Sequence, residues 1–170
     1  MATDDAAAAR AAVDPQTMAA TLHAELVRRS QMVATAESLT GGSLGDLLSA
    51  APGASDTYLG GVVSYATAVK QRLLGVSEET VRTHGVVSAE CAAEMAAGVR
   101  RLLDADVGVS TTGVAGPTEQ EGKPVGTVFI GVATGQGVTT TSLDLTGDRA
   151  SIREQTCREA ISAVLDVLVP

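Results

Sequence analysis

Apolar residues in this chain recur at two spacings, and the switches between them mark out helices and strands in alternation. Met18, Leu22 and Leu26 line one helical face behind Asp14-Pro15, where an acid stands at the N-cap and proline at the first helical position. The apolar run Met32-Val33-Ala34 predicts a strand, and Leu44, Leu47, Leu48 and Ala51 predict a second helix. Pro52-Gly53 stops that helix, and another strand is predicted over about Tyr58 to Tyr65. Ala66 to Gly75 reads as a short helix closed by glycine, Ser77-Glu78-Glu79 opens another ending near His84-Gly85, and Ser88 caps a longer one carrying Cys91, Met95, Val99 and Leu102 on one face. Asp106 to Thr112 predicts a buried strand. Two further strands, about Gly126 to Ala133 and Val138 to Leu145, are joined by Gly135-Gln136-Gly137 and read as a hairpin. Asp148 caps a closing helix with an apolar stripe through Ile152, Ala160, Ile161 and Leu168.

Helices that alternate with strands on both sides of a hairpin predict an α/β chain, a three-layer α/β/α sandwich with a mixed sheet. The pattern holds one domain over residues 14–170, and the alanine-rich stretch 1–13 reads as a disordered or frayed arm. Ligands of open α/β sheets sit beyond the strand ends, where connecting loops converge. Three loops begin at such ends: Glu37 to Gly42, Tyr65 to Lys70, and Thr112 to Pro117.

Composition narrows what these loops can do. Of 170 residues 45% are hydrophobic but only 2% aromatic, so the core is built from Val, Leu, Ile and Ala, and the composition argues against a base-stacking surface. The net charge of −8, with no basic run, argues against a nucleic-acid partner. Cys91 and Cys157 read as small reduced core residues, His23 and His84 stand apart from them, and no metal site is implied. No apolar stretch reaches the length of about 20 residues that spans a bilayer, so the expectation is a soluble, cytoplasmic protein without a membrane partner. Glycine-rich strands in a small α/β domain also suggest completion of a site by symmetric association, a homodimer or higher.

The chemistry centres on Thr35-Ala36-Glu37-Ser38-Leu39-Thr40-Gly41-Gly42-Ser43, a glycine-rich turn between strand and helix. The free N–H groups of a first helical turn favour an anion or a developing negative charge, and Ser38 and Thr40 set hydroxyls beside them. A serine is a nucleophile only with a base at hand. Neither histidine is placed near the strand ends, whereas Lys70 follows the second strand by a few residues, and a desolvated lysine beside a hydroxyl can serve. The ordinary alternative is a solvated helix lysine. Thr111, Thr112, Lys123 and Arg149 form a second tier suited to a phosphate or carboxamide. Glu37 either orients a partner or caps the loop. Neither a P-loop pattern nor a dinucleotide fingerprint is present.

Taken in order, several segments closely resemble the C-terminal domain of the CinA family, the competence/damage-inducible proteins. They are Thr35 to Ser38 with Thr40-Gly41-Gly42, Pro52 to Ser55, Gly60 to Tyr65, Lys70 with Leu74-Gly75-Val76, His84 to Ser88, Thr112 to Pro117, and Lys123 to Val128. Leu39 replaces the family's usual cysteine, and Thr118-Glu119-Gln120 replaces its usual Asp-Gly-Gly. The resemblance implies a nicotinamide mononucleotide deamidase that releases ammonia in support of NAD recycling, with no metal or organic cofactor. It implies Ser38, Lys70 and Tyr65 as catalytic residues, Tyr65 holding Lys70 or the ring. Thr40, Gly41, Gly42, Thr112, Gly113 and Arg149 would meet the small-molecule nucleotide substrate, with N–H groups around Gly41-Gly42 or Gly113 stabilising the oxyanion. The alternatives are a nucleotide-binding regulatory domain without turnover, or a partner domain in competence or DNA repair.

Overall fold

A computed structural model describes residues 13–169 of the chain. The first element, α1 (Pro15–Arg29), leads into β1 (Val33–Glu37), α2 (Ser43–Ser49), a short 3-10 turn (Ala54–Asp56) and β2 (Tyr58–Val63). There follow α3 (Thr67–Leu74), α4 (Glu78–His84), α5 (Ala89–Leu102), β3 (Val107–Gly113), β4 (Thr127–Thr134), β5 (Gly137–Asp144) and α6 (Arg149–Leu168). The sheet runs β2-β1-β3-β4-β5. β1 pairs in parallel with both β2 and β3, while β3–β4 and β4–β5 are antiparallel, so the sheet is mixed. The predicted arm falls, except for Val13, outside the described residues; Val13 packs against the core.

Period-two alternation along β1 separates two apolar layers. Val33 faces a cluster with Leu22 and Leu26 of α1, Leu44 and Leu48 of α2, and Ile152 and Ile161 of α6. Ala34 and Ala36 face the other, with Leu74 of α3 and Cys91, Met95 and Val99 of α5. The expected three-layer arrangement follows. The expected caps are also present: Asp14, Ser77, Ser88 and Asp148 each accept from a backbone N–H of the helix they open.

One strand is longer than the apolar run predicts. β1 continues from Val33 through Thr35, Ala36 and Glu37, although threonine and glutamate break the apolar pattern. Their polar atoms are satisfied internally: Thr35 Oγ1 lies 2.9 Å from Tyr58 Oη, and Glu37 bonds the next helix as described below. All five residues of the strand are buried.

The α3–α5 contact determines where Lys70 can lie. A Cβ on Gly98 of α5 would fall 1.9 Å from the carbonyl oxygen of Leu74, a backbone atom that cannot yield unless α3 moves. Gly98→Ala gains about 1 kcal/mol of helix propensity, but displacing a packed helix costs more. We expect a net loss of about 2 kcal/mol in urea unfolding. Turnover per folded molecule should fall as well, because α3 carries Lys70; a variant with parental stability and turnover would show that α3 has slack.

Candidate active site

The three parallel strands end at one edge of the sheet, and their loops enclose a cavity of about 390 Å3. Ser38 follows β1 directly and prolongs its pairing, its N–H donating to Thr111 O at 2.9 Å. β2 is followed directly by Ser64, whose N–H and Oγ both donate to Glu37 O, so the second loop is tied to the first. From there α3 brings Lys70 back beneath the strand ends.

Lys70 is not the solvated helix lysine. It is 1% exposed, and its Nζ lies 2.9 Å from Ser38 Oγ, 2.7 Å from Ser64 O and 3.3 Å from Tyr65 O. The two carbonyls can only accept, while the hydroxyl can donate or accept. As an ammonium Nζ donates to all three, while a neutral amine keeps two N–H bonds to the carbonyls and turns its lone pair to the Ser38 hydroxyl. Burial favours that state and pushes the Lys70 pKa down from its usual value, against the opposing influence of Cys91 and Glu121. The hydroxyl of Ser38 thus faces a suppressed amine in a walled cavity.

The same cavity is lined by Tyr65, Thr112, Gly113 and Arg149. Arg149 spans its mouth, donating to Gly116 O at 2.7 Å and to the Tyr65 hydroxyl at 3.2 Å. Tyr65 holds Lys70 through its backbone carbonyl, whereas its hydroxyl belongs to Arg149. Thr112 spends its hydroxyl on Val86 O at 2.6 Å. Gly113 is required by packing, since a Cβ there would approach Thr127 O to 2.6 Å.

Thr40, Gly41 and Gly42, expected to meet substrate, do not line this cavity, and the Thr40 hydroxyl and the two glycine N–H groups are engaged elsewhere. Thr40 is fully buried with its hydroxyl 2.8 Å from that of Thr111. The Gly41 N–H donates to Ser38 O, and the Gly42 N–H to Glu37 Oε2. The glycines therefore shape the turn, both at positive φ, and the expectation of oxyanion donors at Gly41-Gly42 is corrected. The free N–H groups lie one step earlier. Those of Leu39 and Thr40 meet no acceptor among the described residues, and Leu39 lines the cavity.

Glu37 resolves toward capping. Buried at 2% exposure, its carboxylate accepts the N–H groups of Gly42, Leu44 and Gly45, which secures the start of α2 immediately behind Ser38. Two further residues had no reading from pattern. Glu121, at the tip of the 118–124 loop, accepts the N–H groups of Val86 and Val87, so this loop is fastened to the cavity wall. Arg153 of α6 reaches the Ser38 loop from its other side; its spacing of four from Arg149 was the available signal. Cys91 and Cys157 are buried, with burial pushing each thiol up to about 12, consistent with inert core residues. No group of metal-binding side chains occurs among the described residues, and none of their helices is long and apolar enough to cross a membrane.

The model of the CinA C-terminal domain matches residues 15–168. The chain belongs to that family. A CinA-like protein of Frankia casuarinae is 51% identical over 143 residues, which cover 84% of this chain and 33% of that protein. A CinA-like protein of Thermotoga maritima is 44% identical over 134 residues, covering 78% of this chain and 33% of the relative. The chain thus spans about a third of the length of these curated relatives. Among solved structures, the competence damage-inducible protein A of Klebsiella pneumoniae superposes with a TM-score of 0.89 at 31% identity, covering 92% of this chain and 98% of that one. The competence/damage inducible protein CihA of Agrobacterium tumefaciens gives 0.88 at 32% identity, covering 91% and 96%.

Proposed function

We propose that this CinA-family domain is a serine-lysine amidohydrolase that converts nicotinamide mononucleotide to nicotinic acid mononucleotide and ammonia. The observation that carries the reading is the 2.9 Å approach of Lys70 Nζ, buried to 1% exposure, to Ser38 Oγ at the wall of a cavity. Lys70 takes the hydroxyl proton as Ser38 Oγ attacks the carboxamide carbon, giving a tetrahedral oxyanion. The resulting ammonium returns that proton to the departing nitrogen, the carbon–nitrogen bond breaks, and ammonia leaves an acyl-serine ester. Water then attacks the ester, its proton passes through Lys70 to Ser38 Oγ, and the carboxylate product is released. The Ser38 N–H is taken by Thr111 O, so the N–H of Leu39 is the next donor in sequence to the attacking oxygen, and it has no acceptor among the described residues, which suits it to the oxyanion. Arg149, which bonds the Tyr65 hydroxyl at the cavity mouth, would meet the ribose phosphate, a reading supported by its guanidinium lining the cavity.

Ammonia release from nicotinamide mononucleotide tests this reading. The parent should turn over, and Ser38→Ala should lose at least about a thousandfold in kcat, as serine hydrolases do without their nucleophile. Binding of the nucleotide with no ammonia above the Ser38→Ala level would instead make the cavity a regulatory binding site.

A further inference from the structure

We propose that Arg153 is a positioning residue, aiming the backbone N–H of Thr40 as a second donor to the oxyanion formed at Ser38. The proposal rests on the reading of Ser38 as a nucleophile. Arg153 lies in the second turn of α6, where a cation opposes the helix dipole, so its placement there is not explained by the helix itself. Its contacts lie across the chain. Nε donates to Leu39 O at 3.1 Å, and Nη2 to Thr40 O at 2.8 Å and Ser43 Oγ at 2.9 Å. It packs over Gly41, whose absent Cβ would lie 3.4 Å from Nη2.

Peptide planarity turns these contacts into orientation. In a trans peptide the carbonyl and the following N–H point in opposite directions. Ser38 O is held by the Gly41 N–H, so the Leu39 N–H points away from that bond. Leu39 O is held by Arg153, so the Thr40 N–H points away from the guanidinium. Thr40 O is held by Arg153 and by the Ser43 N–H, and the Gly41 N–H of that plane closes the turn onto Ser38. Three successive planes are thereby fixed, and the two N–H groups left without acceptors are those adjoining the nucleophile. Gly41 pins the first donor's plane, and Arg153 is the only side chain that holds the second among the described residues.

A planar fork that spans two carbonyls is a geometry lysine cannot reproduce. Arg153 also borders a second cavity of about 460 Å3, with Ser43, Asp46 and Glu154, which gives a free guanidinium ion access to the vacated place in Arg153→Ala. The experiment compares parent, Arg153→Ala and Arg153→Lys by two readouts, kinetics on nicotinamide mononucleotide and the rate at which a fluorophosphonate labels Ser38. For Arg153→Ala, kcat and labelling should both fall roughly tenfold to a hundredfold with KM nearly unchanged. Guanidinium chloride at sub-denaturing concentration should restore both, and Arg153→Lys should recover only part. Parental rates in Arg153→Ala would overturn the proposal. So would losses that track the folded fraction and ignore guanidinium. A parent that is labelled but idle on the nucleotide sinks the substrate reading alone, and labelling then decides the role of Arg153. A parent that resists the probe removes the activated serine, and this proposal with it.

Discussion

Lys70→Met is expected to abolish turnover and to change how stability depends on pH. Methionine nearly matches the volume of the lysine stem but offers no lone pair to Ser38, so kcat should drop by at least about a thousandfold. In the parent, the folded-state pKa of Lys70 lies below its unfolded value because burial disfavours the ammonium. Between those two values the unfolded chain binds more protons than the folded one, so parental stability rises with pH across that interval. Below the folded pKa the cost of the buried charge is present in full. The methionine variant has no such ionisation. The difference in unfolding free energy, parent minus variant, should therefore increase with pH, with a slope of at most about 1.4 kcal/mol per pH unit. The parental kcat/KM should rise with pH through an ionisation below the usual lysine range, since only the neutral amine accepts the proton. Parallel stability curves for the two proteins would mean that Lys70 titrates alike folded and unfolded, and would remove it as a suppressed base.

Much of this arrangement was legible in the chain because its local signals agree with its tertiary structure. Asp14-Pro15, Ser77, Ser88 and Asp148 begin helices where their side chains can accept from the first turn, and those choices need no distant partner. The pairing of Ser38 with Lys70 was accessible as a proximity of strand-end loops, but the burial of Lys70 was not. Its own helix presents Arg72 and Gln71 beside it, and its burial depends on tertiary contacts, with α5 packed on the end of its helix at Leu74 and the Ser64 and Tyr65 carbonyls accepting from its Nζ. The glycine pair misled for a related reason. A glycine-rich turn offers N–H groups in principle, and their availability depends on which acceptors the fold brings near; here Ser38 O and Glu37 take them. The spacing of four from Arg149 puts Arg153 on the same helix face, but its role was not legible because its partners, two carbonyls and the Ser43 hydroxyl, lie more than a hundred residues away.

Glu37→Gln is expected to cost about 3 kcal/mol of stability, a large effect for the exchange of a single oxygen for an amide nitrogen. The carboxylate accepts three N–H groups, from Gly42 and Leu44 at 3.0 Å and Gly45 at 2.7 Å. These are donors that a helix cannot satisfy internally, and they lie at its positive end. Glutamine has one oxygen to offer, and its amide group must face at least one N–H donor, so one or two buried donors lose their acceptor at about 1–3 kcal/mol each. α2 has only seven residues and little propensity of its own to hold its first turn. Water cannot replace the carboxylate easily, since Glu37 is 2% exposed and Tyr58 fills the space over Gly45. The loss should appear as a lower urea midpoint with an unchanged slope. It should be accompanied by slower labelling of Ser38, because the loop that carries the nucleophile is stretched between β1 and the turn that Glu37 closes. Stability within about 0.5 kcal/mol of the parent would show that the start of α2 is held by packing rather than by the buried charge.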